Sequence, residues 1–212
     1  MDDTRTIEQQ HYYPLLAQHL IKEFEKRNFA ALYCEDRAAA LRAIIEAIPS
    51  HAVVSCGGSQ TLREIGVREA LKAGGYDFLD PDDGVGAAAK DEIAHRALAA
   101  DYYLTSTNAI AVTGELVNLD GYGNRVGALI FGPKHVIVVA GLNKVAPSLE
   151  AAIARAKGYA AHMTSLLFKR DYASFEELAG FAEVAYSQLV VTPRSMTKGR
   201  ILIVLVGETL GF

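Results

Sequence analysis

Four small polar residues, Thr105-Ser106-Thr107-Asn108, stand directly behind Tyr102-Tyr103-Leu104, a short run of strand formers. Further along the same stretch come Glu115, Asn118, Asp120, Asn124 and Arg125, with Gly121 and Gly123 between them. Such residue types suit a small polar ligand. Amides and hydroxyls orient it, a guanidinium holds its negative charge, and a carboxylate takes a proton or attacks an electrophile. Two other places offer matching chemistry. Gly57-Gly58-Ser59 ends an apolar run and opens a helical one, so bare backbone N–H groups and the positive end of a helix face one point, an anion cradle. Asn143 and Lys144 leave a second apolar run, placed to meet a phosphate or carboxylate. Each piece also has a plain reading: Asn, Asp and Gly make turns, and a loop lysine is solvated.

An open α/β sheet must position these residues. Residues 29–34, 52–56, 76–79, 102–104, 135–140, 189–192 and 201–206 read as strands. The run from His135 to Ala140 is almost wholly apolar, as suits a strand buried on both faces of a parallel sheet. Helical patterns alternate with the strands. The first, 6–27, carries an apolar stripe of Ile7, Leu15, Leu16, His19, Leu20, Ile21 and Phe24, with Pro14 as a break or a start. The others are 36–48 capped by Asp36, 61–72 with a Thr61–Glu64 capping box, 90–100, 125–132 capped by Asn124, and 148–157. Ile110 to Leu119 reads as a hairpin turning at Thr113-Gly114. Two further helical stretches, 160–169 and 174–188, make a helical insert of about 159–188 in a single domain spanning 1–212. The expected fold class is therefore α/β: three layers, a mostly parallel sheet flanked by helices, with an N-terminal helix. That helix covers the sheet or packs two copies into a homo-oligomer. In such sheets the ligand crevice lies outside the carboxyl ends of the strands, where the polar runs fall.

The 212 residues carry a net charge of −4 with acidic and basic residues mixed, so no basic field suits nucleic acid. No apolar run nears the roughly 20 residues that a membrane span needs. The start, Met1-Asp2-Asp3, is acidic and lacks an apolar signal core, which points to the cytoplasm. Cys34 and Cys56 read as reduced thiols and are too few for a metal site with the nearby histidines. Gly57-Gly58-Ser59 is not a dinucleotide fingerprint, so no cofactor is expected.

Thr107-Asn108-Ala109-Ile110, Gly114-Glu115-Leu116-Val117-Asn118 and Asp120-Gly121-x-Gly123-Asn124-Arg125-Val126 closely resemble the LUD-domain family, which includes lactate utilization protein C. Phe131-Gly132-Pro133-Lys134, Gly141-x-Asn143-Lys144, Gly57-Gly58-Ser59 and Gly199-Arg200-Ile201 extend the resemblance over about 5–158 and 189–212. It implies the fold group of ribose-5-phosphate isomerase, glucosamine-6-phosphate deaminase and CoA transferases. It also implies a small anionic ligand (an organic acid, acyl thioester or sugar phosphate) in a crevice built by 57–59, 105–108, 118–125 and 143–144. CoA transferases of that group use a glutamate nucleophile, and Glu115 stands in a comparable strand–loop region as the catalytic candidate. Methylthioribose-1-phosphate isomerase carries an aspartate where this chain has Asn108, and an amide is no general base. Family members often carry a cysteine-rich insert where this chain has 159–188, which holds no cysteine, so no iron–sulfur or zinc role passes to it. The resemblance thus implies a subunit or accessory protein of lactate utilisation, partnered by iron–sulfur redox subunits. The alternatives are a stand-alone CoA-transferase-like or isomerase-like enzyme and a non-catalytic ligand sensor.

Overall fold

The structure, a computed structural model, describes residues 6–168 and 171–212; Met1-Asp2-Asp3 and Lys169 lie outside them. The chain opens with α1 (Ile7–Lys26), β1 (Ala30–Cys34), α2 (Arg37–Ala47) and β2 (Val53–Cys56). It continues through α3 (Gln60–Ile65), α4 (Val67–Ala73), β3 (Asp77–Leu79), α5 (Ala87–Ala97) and β4 (Tyr102–Thr105). A hairpin of β5 (Ala109–Ala111) and β6 (Leu116–Asp120) precedes α6 (Asn124–Ile130), β7 (His135–Gly141) and the short β8 (Val145–Ala146). Then follow α7 (Leu149–Arg155), a π-helical turn over Ala156–Ala160, α8 (Ala161–Phe168), α9 (Phe175–Ala185), β9 (Gln188–Thr192) and β10 (Ile201–Val206).

Six strands form one sheet in the order β1-β10-β7-β4-β2-β3, and every neighbouring pair is parallel. The alternation of side chains along its strands separates two cores. Val136, Val138, Ile201 and Ile203 face Leu20 and Phe24 of α1, Ala97 of α5 and Leu129 of α6. Ile137, Val139, Val204 and Val206 face Ile44 of α2, Leu62 of α3 and Leu71 of α4. This is the expected three-layer α/β architecture.

The hairpin β5–β6 does not extend that sheet. It joins β8 and β9 in a second sheet of order β8-β5-β6-β9, where β6 pairs antiparallel with β5 and β9. Residues 189–192, read with 201–206 as the last two strands, form β9 in this second sheet, while 201–206 form β10 in the first. Alanines line its core: Ala109 and Ala111 from β5, Ala152 from α7, Ala156 from the π turn and Ala182 from α9. Small side chains let these helices approach the sheet closely.

Local departures from the sequence reading have local causes. α1 runs straight through Pro14, and the residues it buries are Tyr13, Leu16, Ala17, Leu20 and Phe24, while Ile7 and Leu15 are exposed. The helix expected over 61–72 is two helices, because Gly66 takes a left-handed φ of 77° that ends α3 and starts α4. Ser59, not Thr61, caps α3, its hydroxyl accepting the Leu62 N–H at 3.3 Å. Asn124 lies inside α6 and is exposed; Gly123 at φ 86° is the cap position, and Asp120 Oδ2 accepts the Val126 N–H at 3.2 Å instead.

Candidate functional site

The carboxyl ends of β2, β4, β7 and β10 lie side by side in the main sheet, and their exit segments converge. β4 gives Ser106, Thr107 and Asn108. β7 runs into a 3₁₀ turn over Leu142–Lys144, and β2 leads through Gly57-Gly58-Ser59 into α3, which carries Thr61 and Glu64. β10 is followed by residues 207–212, which fold back over the same edge: the Leu210 N–H donates to Asn143 Oδ1 at 3.1 Å and the Gly211 N–H to Glu64 Oε2 at 2.8 Å.

Lys144 is the centre of this assembly. It is 3% exposed, and its Nζ donates to Thr61 Oγ1 and to Ser106 Oγ, both at 2.9 Å. Burial, then the nearby Arg155 and Arg125, push the amine down from the ordinary 10.5 to about 7, with Glu64 acting the other way. A solvated loop lysine is therefore not what the structure holds.

Arg125 spans the loop. Its Nη1 donates to Asn118 Oδ1 at 2.7 Å and the Ser106 carbonyl at 3.3 Å, and its Nη2 to Asn108 Oδ1 at 2.9 Å and the Leu119 carbonyl at 2.8 Å. Asn108 Oδ1 also accepts the Leu119 N–H at 2.9 Å, while the fully buried Asn118 leaves its Nδ2 without a partner. Arg155, on α7, donates to the Asn108 carbonyl and lies over the Tyr159 ring at 5.4 Å. Burial holds its guanidinium below the usual arginine range. No ion pair reaches Lys144, Arg125 or Arg155 among the described residues.

The other expected site residues divide into neighbours of this cluster and scaffold. A Cβ on Gly57 would stand 3.1 Å from Tyr103 Oη and 3.4 Å from Arg125 Cδ, so the backbone passes close above the clamp. Its N–H donates to the Leu104 carbonyl at 2.9 Å and is not free to cradle an anion. Gly58 is exposed with nothing crowding it, and the Ser59 hydroxyl serves as a cap. Thr107 is buried and its hydroxyl donates to the Val117 and Ala109 carbonyls at 2.9 and 3.0 Å, which locks the β4 exit onto the hairpin. Gly121 packs on the end of α9, where a Cβ would come within 2.6 Å of the Ala185 carbonyl oxygen.

Glu115 is placed elsewhere. Its Oε1 accepts from Arg27 Nη2 at 2.7 Å and its Oε2 from Thr113 Oγ1. Arg27 also donates to the Thr113 and Pro193 carbonyls at 2.7 and 3.0 Å, so the pair staples the hairpin turn to the end of α1. Nothing ties Glu115 to Lys144, Ser106 or Arg125. Both side chains are largely covered, 23% and 14% exposed, so double-mutant unfolding of Arg27→Met and Glu115→Gln is expected to show a coupling of about 1 kcal/mol. Strictly additive losses would show that the pair is not a staple.

Cys56 lies beside Gly57 but is no thiolate: burial pushes its thiol up to about 12. Sequence reasoning singled out Lys144, Asn143 and the 105–108 loop but not Arg155, and it read Thr61 and Glu64 as capping residues. The only signal for Arg155 was its presence in the helix after the Asn143-Lys144 exit.

A family model described as the LUD domain matches residues 17–206. The chain belongs to the LUD-domain family. Every element that builds the cluster up to β10 falls within the matched span. A DUF162 family protein from Deinococcus radiodurans has a similar structure, with a TM-score of 0.54, 14% identity and coverage of 91% of this chain and 96% of that one. Ribose 5-phosphate isomerase from Plasmodium falciparum is a more distant structural neighbour, with a TM-score of 0.33, 14% identity and 52% of each chain covered. None of the curated proteins matches the chain. Among the described residues of this LUD domain, no helix is long and apolar enough to cross a membrane.

Proposed function

We propose that this LUD domain binds a small anionic organic acid at the carboxyl edge of its main sheet and serves lactate utilisation as an accessory subunit. One observation carries the reading: Lys144, Arg125 and Arg155 gather around the Ser106–Asn108 loop without a carboxylate partner. Buried cations are ordinarily paired, because an unpaired charge in a low-dielectric site is costly. A cluster of basic side chains with no carboxylate in hydrogen-bond or ion-pair contact, only Glu64 acting on Lys144 from further off, is a place for a ligand anion. Arg155 has the most donors to spare, since the structure gives it a single hydrogen bond, to the Asn108 carbonyl.

Family membership supports the lactate placement. Lactate oxidation hands two electrons to an acceptor, and we place that acceptor on an iron–sulfur partner subunit. The chain has two cysteines, both buried, and cannot assemble a cysteine cluster site of its own. A sensor reading has one observation in its favour: Asn108, the residue in the aspartate position of isomerase relatives, is tied up by Arg125 and the Leu119 N–H, as in a rigid binding loop.

A thermal-shift screen against lactate, pyruvate, CoA thioesters, sugar phosphates and nucleotides tests the reading. A ligand at 100 times its dissociation constant adds about 2.7 kcal/mol, roughly 5–10 °C for a chain of this size. A shift with a small carboxylate, lost in Arg155→Met, is the expected result. No shift with any anion would remove the binding reading and turn the search to protein partners.

A further inference from the structure

We propose that Lys144 is a nucleophile: its Nζ, enclosed by the hydroxyls of Thr61 and Ser106 and bordered by Arg125 and Arg155, adds to the carbonyl carbon of a small 2-oxo acid. The inference rests on the anion-binding reading above and gives it a substrate class.

The hydrogen-bond count favours an amine over an ammonium. A neutral amine has two N–H donors, and Lys144 has two acceptors, Thr61 Oγ1 and Ser106 Oγ, each at 2.9 Å. A third proton would have no partner in a site that leaves the residue 3% exposed. The charged groups facing Nζ agree. Arg155 and Arg125 oppose a proton there, and the one opposing charge, Glu64, spends its Oε2 on the Gly211 N–H at 2.8 Å. With the amine near 7, roughly half of it is neutral at pH 7, whereas an ordinary lysine is almost wholly charged. A neutral lysine amine beside cations is the usual way in which proteins make a lysine attack carbonyl carbon.

The same geometry selects the substrate. In a 2-oxo acid the electrophilic carbon is one bond from the carboxylate, so a guanidinium that holds the charge also sets the carbon before Nζ. The nitrogen lone pair forms the C–N bond as the carbonyl π pair moves onto oxygen. A Thr61 or Ser106 hydroxyl relays a proton from nitrogen to that oxygen, giving a carbinolamine. Loss of the oxygen as water, carrying both amine protons, leaves a neutral C=N bond, and no oxidant or reductant is consumed. Residues 207–212 cover the amine: a Cβ on Gly211 would lie 3.5 Å from Nζ and 2.6 Å from Thr61 Oγ1. This segment screens the C–N bond from bulk water, and it must shift for a substrate to enter.

The test uses the full chain with pyruvate and sodium cyanoborohydride, which reduces an imine to a stable secondary amine. Thermal unfolding with pyruvate alone is recorded in parallel. The expected result is one reduced adduct per chain, mapped by peptide mass spectrometry to Lys144. It forms faster as pH rises through about 7 and is absent from Lys144→Arg of intact circular dichroism. Stabilisation by pyruvate with no adduct, or with adducts only on exposed lysines such as Lys26 and Lys157, would overturn the nucleophile and leave the anion site standing. Neither stabilisation nor adduct would overturn both.

Discussion

Replacing Lys144 by Met is expected to stabilise the protein at pH 7 and to flatten its stability between pH 7 and 10.5. The unfolded chain holds the lysine proton up to the ordinary 10.5, while the folded chain holds it only below about 7. Between those values unfolding takes up a proton, so native stability falls as pH drops through the window and the full cost is present below 7. A shift of this size corresponds to a cost on the order of 3–5 kcal/mol. Methionine fills similar volume without charge. The hydroxyls it strands retain partners, since Thr61 Oγ1 donates to the Leu210 carbonyl at 3.4 Å and Ser106 Oγ to Thr61 Oγ1 at 3.4 Å. Allowing about 1 kcal/mol for the two lost hydrogen bonds, the net gain at pH 7 is roughly 2–4 kcal/mol, on the order of 10 °C in Tm. Near pH 10.5 the gain disappears. Thermal unfolding of both chains from pH 6 to 10.5 checks this. Parallel pH profiles would show that Lys144 keeps its proton in the folded state. The sign matters for function as well as stability. A residue whose removal stabilises a fold is held against a cost, and such costs concentrate where groups react or bind.

Much of this arrangement can be read from the sequence, and the residues that escape it do so for one reason. The strand His135–Gly141 declares itself because both its faces are covered, so no polar residue interrupts it until the exit. Asp36 declares the start of α2 because a cap acts on the next three residues, and it does accept the Ala39 N–H at 2.7 Å. The crevice loops are visible as polar runs behind apolar ones. Direction and partner are not. Thr61 sits two residues after Ser59, and either spacing suits a helix start; only the fold turns the Thr61 hydroxyl toward a lysine 83 residues away. Glu64 meets Gly211 across 147 residues, and Arg155 reaches the Asn108 carbonyl across 47. Glu115 looks like a crevice carboxylate in sequence because its partner Arg27 is 88 residues upstream. β9 is found as a strand where one is expected, but a short apolar run does not say which of two sheets it completes.

The largest loss of stability is expected from Arg125→Met, about 3–4 kcal/mol or roughly 10 °C in Tm. Arg125 is the sole bridge among the described hydrogen bonds from α6 to the β4 exit at Ser106 and Asn108. It also holds β6 through Asn118 and the Leu119 carbonyl. Removing it strands Asn118 completely, because that buried amide already lacks a partner at Nδ2 and would lose its only one at Oδ1. Lysine cannot substitute. A single ammonium has no fork to reach four acceptors on two segments, so Arg125→Lys is expected to lose most of the same stability. Much of the loss is the cost of an orphaned amide, which the second change in Arg125→Met/Asn118→Leu removes, so the double variant is expected to recover about 1–2 kcal/mol over Arg125→Met. Chemical denaturation of the three variants decides the point. A loss under about 1 kcal/mol in Arg125→Met, or no recovery in the double variant, would show that the guanidinium is not the clamp. The consequence reaches Lys144, because Ser106 offers its carbonyl to Arg125 and its hydroxyl to the Lys144 amine. Loosening the clamp frees the loop that supplies half of the amine's hydrogen bonds. Imine trapping by pyruvate is therefore expected to slow in Arg125→Lys even at temperatures where that variant is folded.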